Sequence, residues 1–144
     1  MSENDTVKLL RECDAGIKMG LSSIKEVMEF IHSESLKNVL DEALSEHREL
    51  AREIEDVLAR YGDDGKDPNP IVSGMSSIKT NMKLIINESD KTVADLMTDG
   101  CNMGVKSIAK YLNEYKTADE DAKHIANKLI DLEERMCKKL RGYL

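Results

Sequence analysis

The sequence predicts an all-α protein, a four-helix bundle built from two similar helical hairpins. It has no tryptophan and a single phenylalanine, and its apolar residues are mainly Leu, Ile, Val, Met and Ala, which favour helices over aromatic-rich sheets. These apolar residues recur every three or four positions over long segments. In addition, residues 16–24 (GIKMGLSSI) return 84 positions later as residues 100–108 (GCNMGVKSI), which indicates an internal repeat.

The first predicted hairpin spans about residues 5–61. Its apolar residues form two stripes with a helical period, and we expect the two helices to join near residues 33–35. The stripe of the first helix consists of Val7, Leu10, Ile17, Leu21, Ile24, Met28 and Ile31. The stripe of the second consists of Leu36, Val39, Leu40, Ala43, Leu50, Ile54, Val57, Leu58 and Tyr61.

The predicted crossover spans residues 62–88. It begins with a polar segment that contains both prolines, Pro68 and Pro70. Residues Ile78 to Ile86 then carry the apolar spacing of a short helix. A crossover of this size can run the length of helices of roughly 25 residues, about 37 Å. The predicted order of helix directions is therefore up, down, down, up.

The second predicted hairpin spans about residues 89–143. We expect Ser89 to cap its first helix and a capping box at Thr117–Glu120 to open its second. The stripe of the first helix consists of Val93, Leu96, Met97, Cys101, Val105, Ile108, Leu112 and Tyr115. The stripe of the second consists of Ala118, Ala122, Ile125, Leu129, Leu132, Met136, Leu140 and Tyr143.

Two similar hairpins with one long crossover resemble the ferritin-like superfamily. More closely, the chain resembles a bacterial two-hairpin family of unknown function related to rubrerythrin-type proteins. The resemblance lies in residues 9–16 (LLRECDAG), the segment around Gly74 and Met75, and residues 98–100 (TDG). It covers nearly the whole chain and implies a single four-helix domain over residues 1–144.

The resemblance also implies a degenerate metal site. Ferritin-like di-metal centres use inward glutamates and Glu-x-x-His pairs near the middle of the bundle. The family often carries a glutamate directly after the repeat glycine, but Ile17 and Cys101 stand at those positions here. Leu44, and no glutamate, lies three residues before His47. The Glu29–His32 and Asp121–His124 pairs have the right spacing, but the predicted topology puts them at opposite ends of the bundle.

The remaining candidate metal ligands are Glu46, His47, Glu49 and Asp131, which could form a displaced site. For His47 we favour a neutral core histidine, hydrogen-bonded to a neighbour in the space that Gly20 leaves. A metal ligand or an acid–base group is the alternative. Asp14 also falls on the apolar stripe, and we expect its side chain to turn to the bundle surface.

Four glycines stand at matched positions of the two repeats: Gly16, Gly20, Gly100 and Gly104. A glycine inside a helix costs about 1 kcal/mol relative to alanine. Matched glycines therefore predict close helix packing, with the two Gly-x-x-x-Gly pairs of the first and third helices facing each other.

Charge and cysteine content exclude several classes of partner. The 21 basic and 28 acidic side chains give a net charge of -7, which repels nucleic acids and anionic membranes. No apolar run approaches the roughly 20 residues of a membrane span, and no secretory segment is visible, so we expect a cytoplasmic protein. Cys13, Cys101 and Cys137 are predicted to be reduced core residues.

The sequence leaves three functional hypotheses and favours a non-enzymatic role. The first is a structural or protein-interaction module without a cofactor, with a homo-oligomer or a protein as its partner. The second is a metal-dependent oxidoreductase or iron-handling stress protein that uses iron or manganese at the displaced site. The third is a thiol protein acting through Cys101 or Cys13, which requires a lowered thiol pKa. No catalytic residue set or phosphate-binding loop is present.

Overall fold

In the computed structural model, which describes residues 2–68 and 89–144, the chain forms four long helices. They are α1 (Ser2–Val27), α2 (Glu34–Arg60), α3 (Ser89–Glu114) and α4 (Glu120–Leu140). Short 3₁₀ turns at Met28–Phe30 and Arg141–Tyr143 follow α1 and α4. No strand occurs in the described ranges, and the predicted all-α class is confirmed. The predicted crossover helix and the Gly74–Met75 segment lie outside the described residues.

Polar contacts at one end of the bundle, the near end, join the beginnings of α1 and α4. The Asp5 carboxylate accepts hydrogen bonds from the amide and the hydroxyl group of Thr117, and the Asp119 amide donates to Thr6 Oγ1 at 2.8 Å. The hydroxyl group of Tyr61, directly after α2, donates to Asp119 Oδ2 at 2.6 Å. The end of α2 therefore lies beside these two beginnings.

The opposite end, the far end, joins the end of α1 to the beginnings of α2 and α3. Asp90, in the first turn of α3, accepts the backbone N–H groups of His32 at 2.7 Å and Ser33 at 3.0 Å. Tyr143, after α4, donates to Ser35 Oγ at 2.7 Å. Because α1 and α4 run towards the far end and α2 and α3 run away from it, the predicted up-down-down-up topology is confirmed.

Two helix starts carry a side-chain cap, and two predicted caps need correction. Ser89 lies within α3, and its buried hydroxyl group has no hydrogen-bond partner among the described residues, so the prediction that it caps this helix was wrong. Ser33 caps α2 by accepting the Leu36 N–H at 3.2 Å. At the start of α4 the cap is Asp119, which accepts the Ala122 N–H at 3.1 Å. The prediction that Thr117 opens a capping box was wrong, because the Thr117 side chain bonds to Asp5 on α1 instead.

The buried apolar side chains form two clusters along the bundle axis, and α1 and α4 contact each other and both remaining helices. The near-end cluster includes Leu9, Leu10, Ile17, Leu50, Ile54, Leu58, Ile108, Ile125, Leu129 and Leu132. The far-end cluster consists of Ile24, Val27, Leu36, Leu40, Ala43, Val93, Met97, Cys101, Met136 and Leu140. Burial of each Leu or Ile side chain stabilises the fold by about 1.5–3 kcal/mol relative to leaving it exposed. None of the described helices is long and apolar enough to cross a membrane.

The loop after α2 is hydrogen-bonded to side chains of α1. One of these is Asp14, which we expected to turn to the bundle surface. Asp14 is only 1% exposed. Its Oδ2 accepts the backbone N–H of Lys66 at 2.9 Å, and Lys18 Nζ lies 2.7 Å from the same oxygen. Arg11 forms a second link through its Nε, which donates to Asp63 Oδ2 at 2.9 Å. The carboxylate therefore stays inside, where the loop and Lys18 supply partners for Oδ2, while Oδ1 has no hydrogen-bond partner among the described residues.

Two glycines of this loop provide a matched pair of substitutions. Gly65 (φ +88°) and Gly62 (φ +68°) both adopt the left-handed conformation, in which alanine costs about 1 kcal/mol. A Cβ at Gly65 would also lie 2.2 Å from Asp14 Oδ2, whereas a Cβ at Gly62 would meet no described atom within 4 Å.

We therefore expect Gly65→Ala to lower the free energy of unfolding by about 1–3 kcal/mol more than Gly62→Ala does. Urea denaturation followed by circular dichroism measures the difference. Equal losses for the two variants would show that the loop does not press against Asp14.

Candidate functional site

A buried histidine and a buried glutamate form the central polar contact of the bundle. His47 on α2 is fully buried, and Glu133 on α4 is 7% exposed. His47 Nε2 lies 2.9 Å from Glu133 Oε1, and His47 Nδ1 lies 2.6 Å from the carbonyl oxygen of Ala43. Both ring nitrogens are therefore engaged by the protein itself.

The pair lies in a layer between the two apolar clusters. Each of the four helices has residues in both clusters. On each helix, one position of this layer lies between its near-end residues and its far-end residues. These positions are Gly20 on α1, His47 on α2, Gly104 on α3 and Glu133 on α4, and we call them the polar layer. The polar layer therefore divides the core into two halves near the middle of the bundle.

The two glycines of the polar layer leave room for its two large side chains. A Cβ at Gly20 would lie 2.9 Å from His47 Cδ2 and 3.0 Å from His47 Nε2. A Cβ at Gly104 would lie 3.6 Å from Glu133 Cγ and Oε2, which is ordinary contact. Gly20 is thus the tighter position, and its neighbour is a ring that is held at both nitrogens.

The matched glycines do not face each other as the sequence predicted. A Cβ at Gly16 would meet side chains of Leu129 and Ile108 at 3.7 and 3.8 Å, and Gly100 is exposed with no described atom within 4 Å of such a Cβ. The described contacts of Gly20 and Gly104 are likewise with side chains of α2 and α4. Among these four glycines, only Gly20 has a neighbour too close for a Cβ atom, and that neighbour is the ring of His47.

The geometry fixes the number of protons that the pair holds. A carbonyl oxygen can only accept, so Nδ1 of His47 carries a hydrogen and donates it to Ala43. Nε2 then either accepts the proton of a neutral Glu133 carboxyl group or donates one to its carboxylate. In both arrangements one proton lies between the two groups and the pair has no net charge. A buried pair without net charge avoids the high cost of burying an isolated ion.

The structure does not bring the predicted metal ligands together around His47. Glu46 bonds to Arg135 at the surface, with 3.1 Å between Oε2 and Nη2. Glu49 and Asp131 are exposed, and Glu49 lines an open groove between α2 and α4. In the described ranges, no group of three or more His, Cys, Asp or Glu side chains is placed to hold a metal ion.

The spaced acid–histidine pairs are also separated. His32 lies at the far end, where its backbone N–H bonds to Asp90. The Asp121–His124 pair lies in the first turns of α4, at the near end. These two pairs therefore lie at opposite ends of the bundle, as the predicted topology requires.

Ile17 and Cys101 stand at the positions where the family that this chain resembles often carries glutamate, and both side chains point inward. Ile17 is fully buried and Cys101 is 1% exposed. Burial raises the pKa of the Cys101 thiol far above its usual value, and the neighbouring Glu133 raises it further through charge and a hydrogen bond. Cys101 therefore remains a neutral thiol beside the polar layer.

Sequence reasoning missed Glu133, although a signal for it exists. Glu133 lies four residues after Leu129 and three before Met136, which are the spacings of the buried stripe of α4. A carboxylate at such a position needs a buried partner. His47, the other ionisable residue that proves to be buried in the polar layer, is that partner.

Cys13 does not support thiol chemistry of the kind that needs a lowered pKa. Burial raises the pKa of Cys13 to about 12, and the charges of Glu12 and Asp14 add to this effect. Cys137 is partly exposed, and its Sγ lies 3.7 Å from Asn102 Oδ1. Cys13 and Cys101 therefore act as small core residues, which agrees with the favoured sequence interpretation.

Comparison with known proteins gives a fold and no family. No family model matches the sequence, and no curated protein matches it. The crystal structure of a DUF305 fragment from Deinococcus radiodurans is similar to this chain, with a TM-score of 0.76 and 14% sequence identity. The match covers 96% of this chain and 93% of that one. At this identity the similarity shows a shared helical fold alone.

Alanine substitutions at two repeat glycines test the fit around His47. We expect Gly20→Ala to lower the free energy of unfolding by about 1–3 kcal/mol, because the new methyl group overlaps a ring that cannot move without losing hydrogen bonds. Gly100→Ala is the matched control, and we expect it to raise stability by about 0.5–1 kcal/mol through helix propensity. Thermal and urea unfolding measure both. A Gly20→Ala variant as stable as Gly100→Ala would contradict the described packing.

Alkylation tests the environments of the three cysteines. Because alkylation requires the thiolate, we expect Cys13 and Cys101 in the folded protein to react much more slowly with iodoacetamide at mildly alkaline pH than Cys137 does. Peptide mass spectrometry over time identifies each labelled site, and urea-unfolded protein, in which all three react, is the control. Labelling of Cys101 as rapid as that of Cys137 in the folded state would overturn this assignment.

Proposed function

We propose that this chain is a ferritin-like helical bundle that acts as a structural or protein-interaction module and lacks a functional di-iron centre. The observation that supports this most strongly is the closed state of the polar layer. His47, the imidazole in that layer, uses one ring nitrogen for the Ala43 carbonyl oxygen and the other for Glu133. The first of these bonds lies within α2, and the second joins α2 to α4.

The neighbouring positions support the same proposal. A ferritin-like di-metal centre takes inward carboxylates from all four helices. At the polar layer α1 and α3 contribute Gly20 and Gly104, and the nearby inward residues on these helices are Ile17 and Cys101. Glu133 is thus a single carboxylate with a single imidazole. This donor set is too small for two metal ions.

A metal-dependent oxidoreductase or iron-handling protein is the second candidate. The observation that favours it is the position of His47 and Glu133, which place an imidazole and a carboxylate beside the Cys101 thiol near the middle of the bundle. Binding iron or manganese there would require His47 Nε2 to exchange Glu133 for the metal. The exposed Glu49 and Asp131 would also have to turn inward.

Metal content separates the two candidates. We expect protein produced in iron- and manganese-rich medium, and purified without chelators or a metal-affinity tag, to contain far less than one iron or manganese ion per chain by elemental analysis. The His47→Ala variant is the control, since any metal bound through His47 is lost from it. About two ions per chain in the wild type and none in the variant would establish the second candidate.

Association tests the interaction role itself. Light scattering after size exclusion, together with affinity capture from an extract of the source cells, is expected to reveal a homo-oligomer or a protein bound in a fixed ratio. A strict monomer without a captured partner would contradict the proposed role.

A further inference from the structure

Cys101 on α3 and Cys137 on α4 occupy the same level of the bundle. The helices are antiparallel, so a step towards the start of α3 corresponds to a step towards the end of α4. Gly104 faces Glu133, and Asn102 contacts Cys137 through a 3.7 Å Sγ to Oδ1 contact. Cys101, beside Asn102, is therefore level with Cys137. Both cysteines also pack in the far-end cluster.

The packing between α3 and α4 suits a crosslink at this level. A disulfide needs Cα atoms about 4.4–6.8 Å apart, which requires closely packed helices. Gly104, one turn along α3 from Cys101, brings no side chain of its own between the helices and lets Glu133 lie against the α3 backbone. Cys101 is buried and Cys137 is partly exposed, so an oxidant meets Cys137 first.

We propose that Cys137 and Cys101 form a redox-sensitive pair, in which a hydroperoxide oxidises Cys137 and Cys101 then closes a disulfide that links α3 to α4. In the first step the Cys137 sulfur attacks one peroxide oxygen and the O–O bond breaks. For hydrogen peroxide the products are the sulfenic acid and water, so the sulfur is oxidised and the peroxide is reduced.

In the second step the Cys101 sulfur attacks the Cys137 sulfur, an S–S bond forms and the S–O bond breaks. The Cys101 thiol loses its proton in this step. The proton passes on to the departing hydroxyl group, which leaves as water.

Cys13 supplies a built-in control. It is fully buried on α1 within the near-end cluster, whereas the proposed pair belongs to the far-end cluster. A disulfide between Cys13 and either other cysteine would therefore have to cross the polar layer. The structure predicts one specific pairing among the three possible ones.

The test is peptide mapping under non-reducing conditions after reduced protein has been treated with dilute hydrogen peroxide. We expect a disulfide that links the Cys101 and Cys137 peptides within a single wild-type chain, which is recovered from the single-chain band of a denaturing, non-reducing gel. The pair is lost in Cys101→Ser and Cys137→Ser and retained in Cys13→Ser. In Cys101→Ser, the sulfenic acid of Cys137 accumulates and is trapped by dimedone. The wild-type map alone decides the pairing if a variant fails to fold.

Three results would overturn the proposal. The first is a wild-type map in which Cys137 is trapped as sulfenic acid without any link to Cys101. The second is a disulfide that joins two chains through Cys137. The third is a Cys137 thiol that peroxide leaves unchanged while the unfolded chain is oxidised.

Discussion

Burying an imidazole and a carboxylate together is favourable when the two groups are hydrogen-bonded to each other and have enough space. In this bundle the partners are His47, Glu133 and the Ala43 carbonyl oxygen, and the space comes from Gly20 and Gly104. This requirement sets the register of α2 against α4. A displacement of α2 or α4 by one turn would separate His47 from Glu133 and bring an unpaired polar group against the apolar clusters.

The same arrangement limits the chemistry of the core. The pair holds one proton between its members and has no net charge, so each group stabilises the other inside the apolar core. Di-metal centres of ferritin-like proteins place several inward carboxylates and imidazoles around the metal ions. Here the middle carries one hydrogen-bonded pair between α2 and α4, beside a neutral Cys101 thiol.

The sequence predicted the all-α class and the helix order, because a long apolar periodicity and a single long crossover leave few arrangements. It also placed His47 beside Gly20. It missed Glu133 because a glutamate within a charge-rich helix resembles any solvent-facing residue until its spacing from Leu129 is considered. It misplaced Asp14 because the partner of that carboxylate is a loop amide, that of Lys66, and no helical pattern reports where a loop will fold back.

The protonation of the His47 ring tests the central claim most directly. Long-range proton–nitrogen correlation spectra of uniformly ¹⁵N-labelled protein distinguish a protonated from an unprotonated ring nitrogen. The described geometry predicts that Nδ1 of His47 is protonated and that its hydrogen exchanges slowly with water, since it is buried and bonded to Ala43. An unprotonated Nδ1, or a ring hydrogen that exchanges as fast as that of the exposed His32, would contradict the closed polar layer.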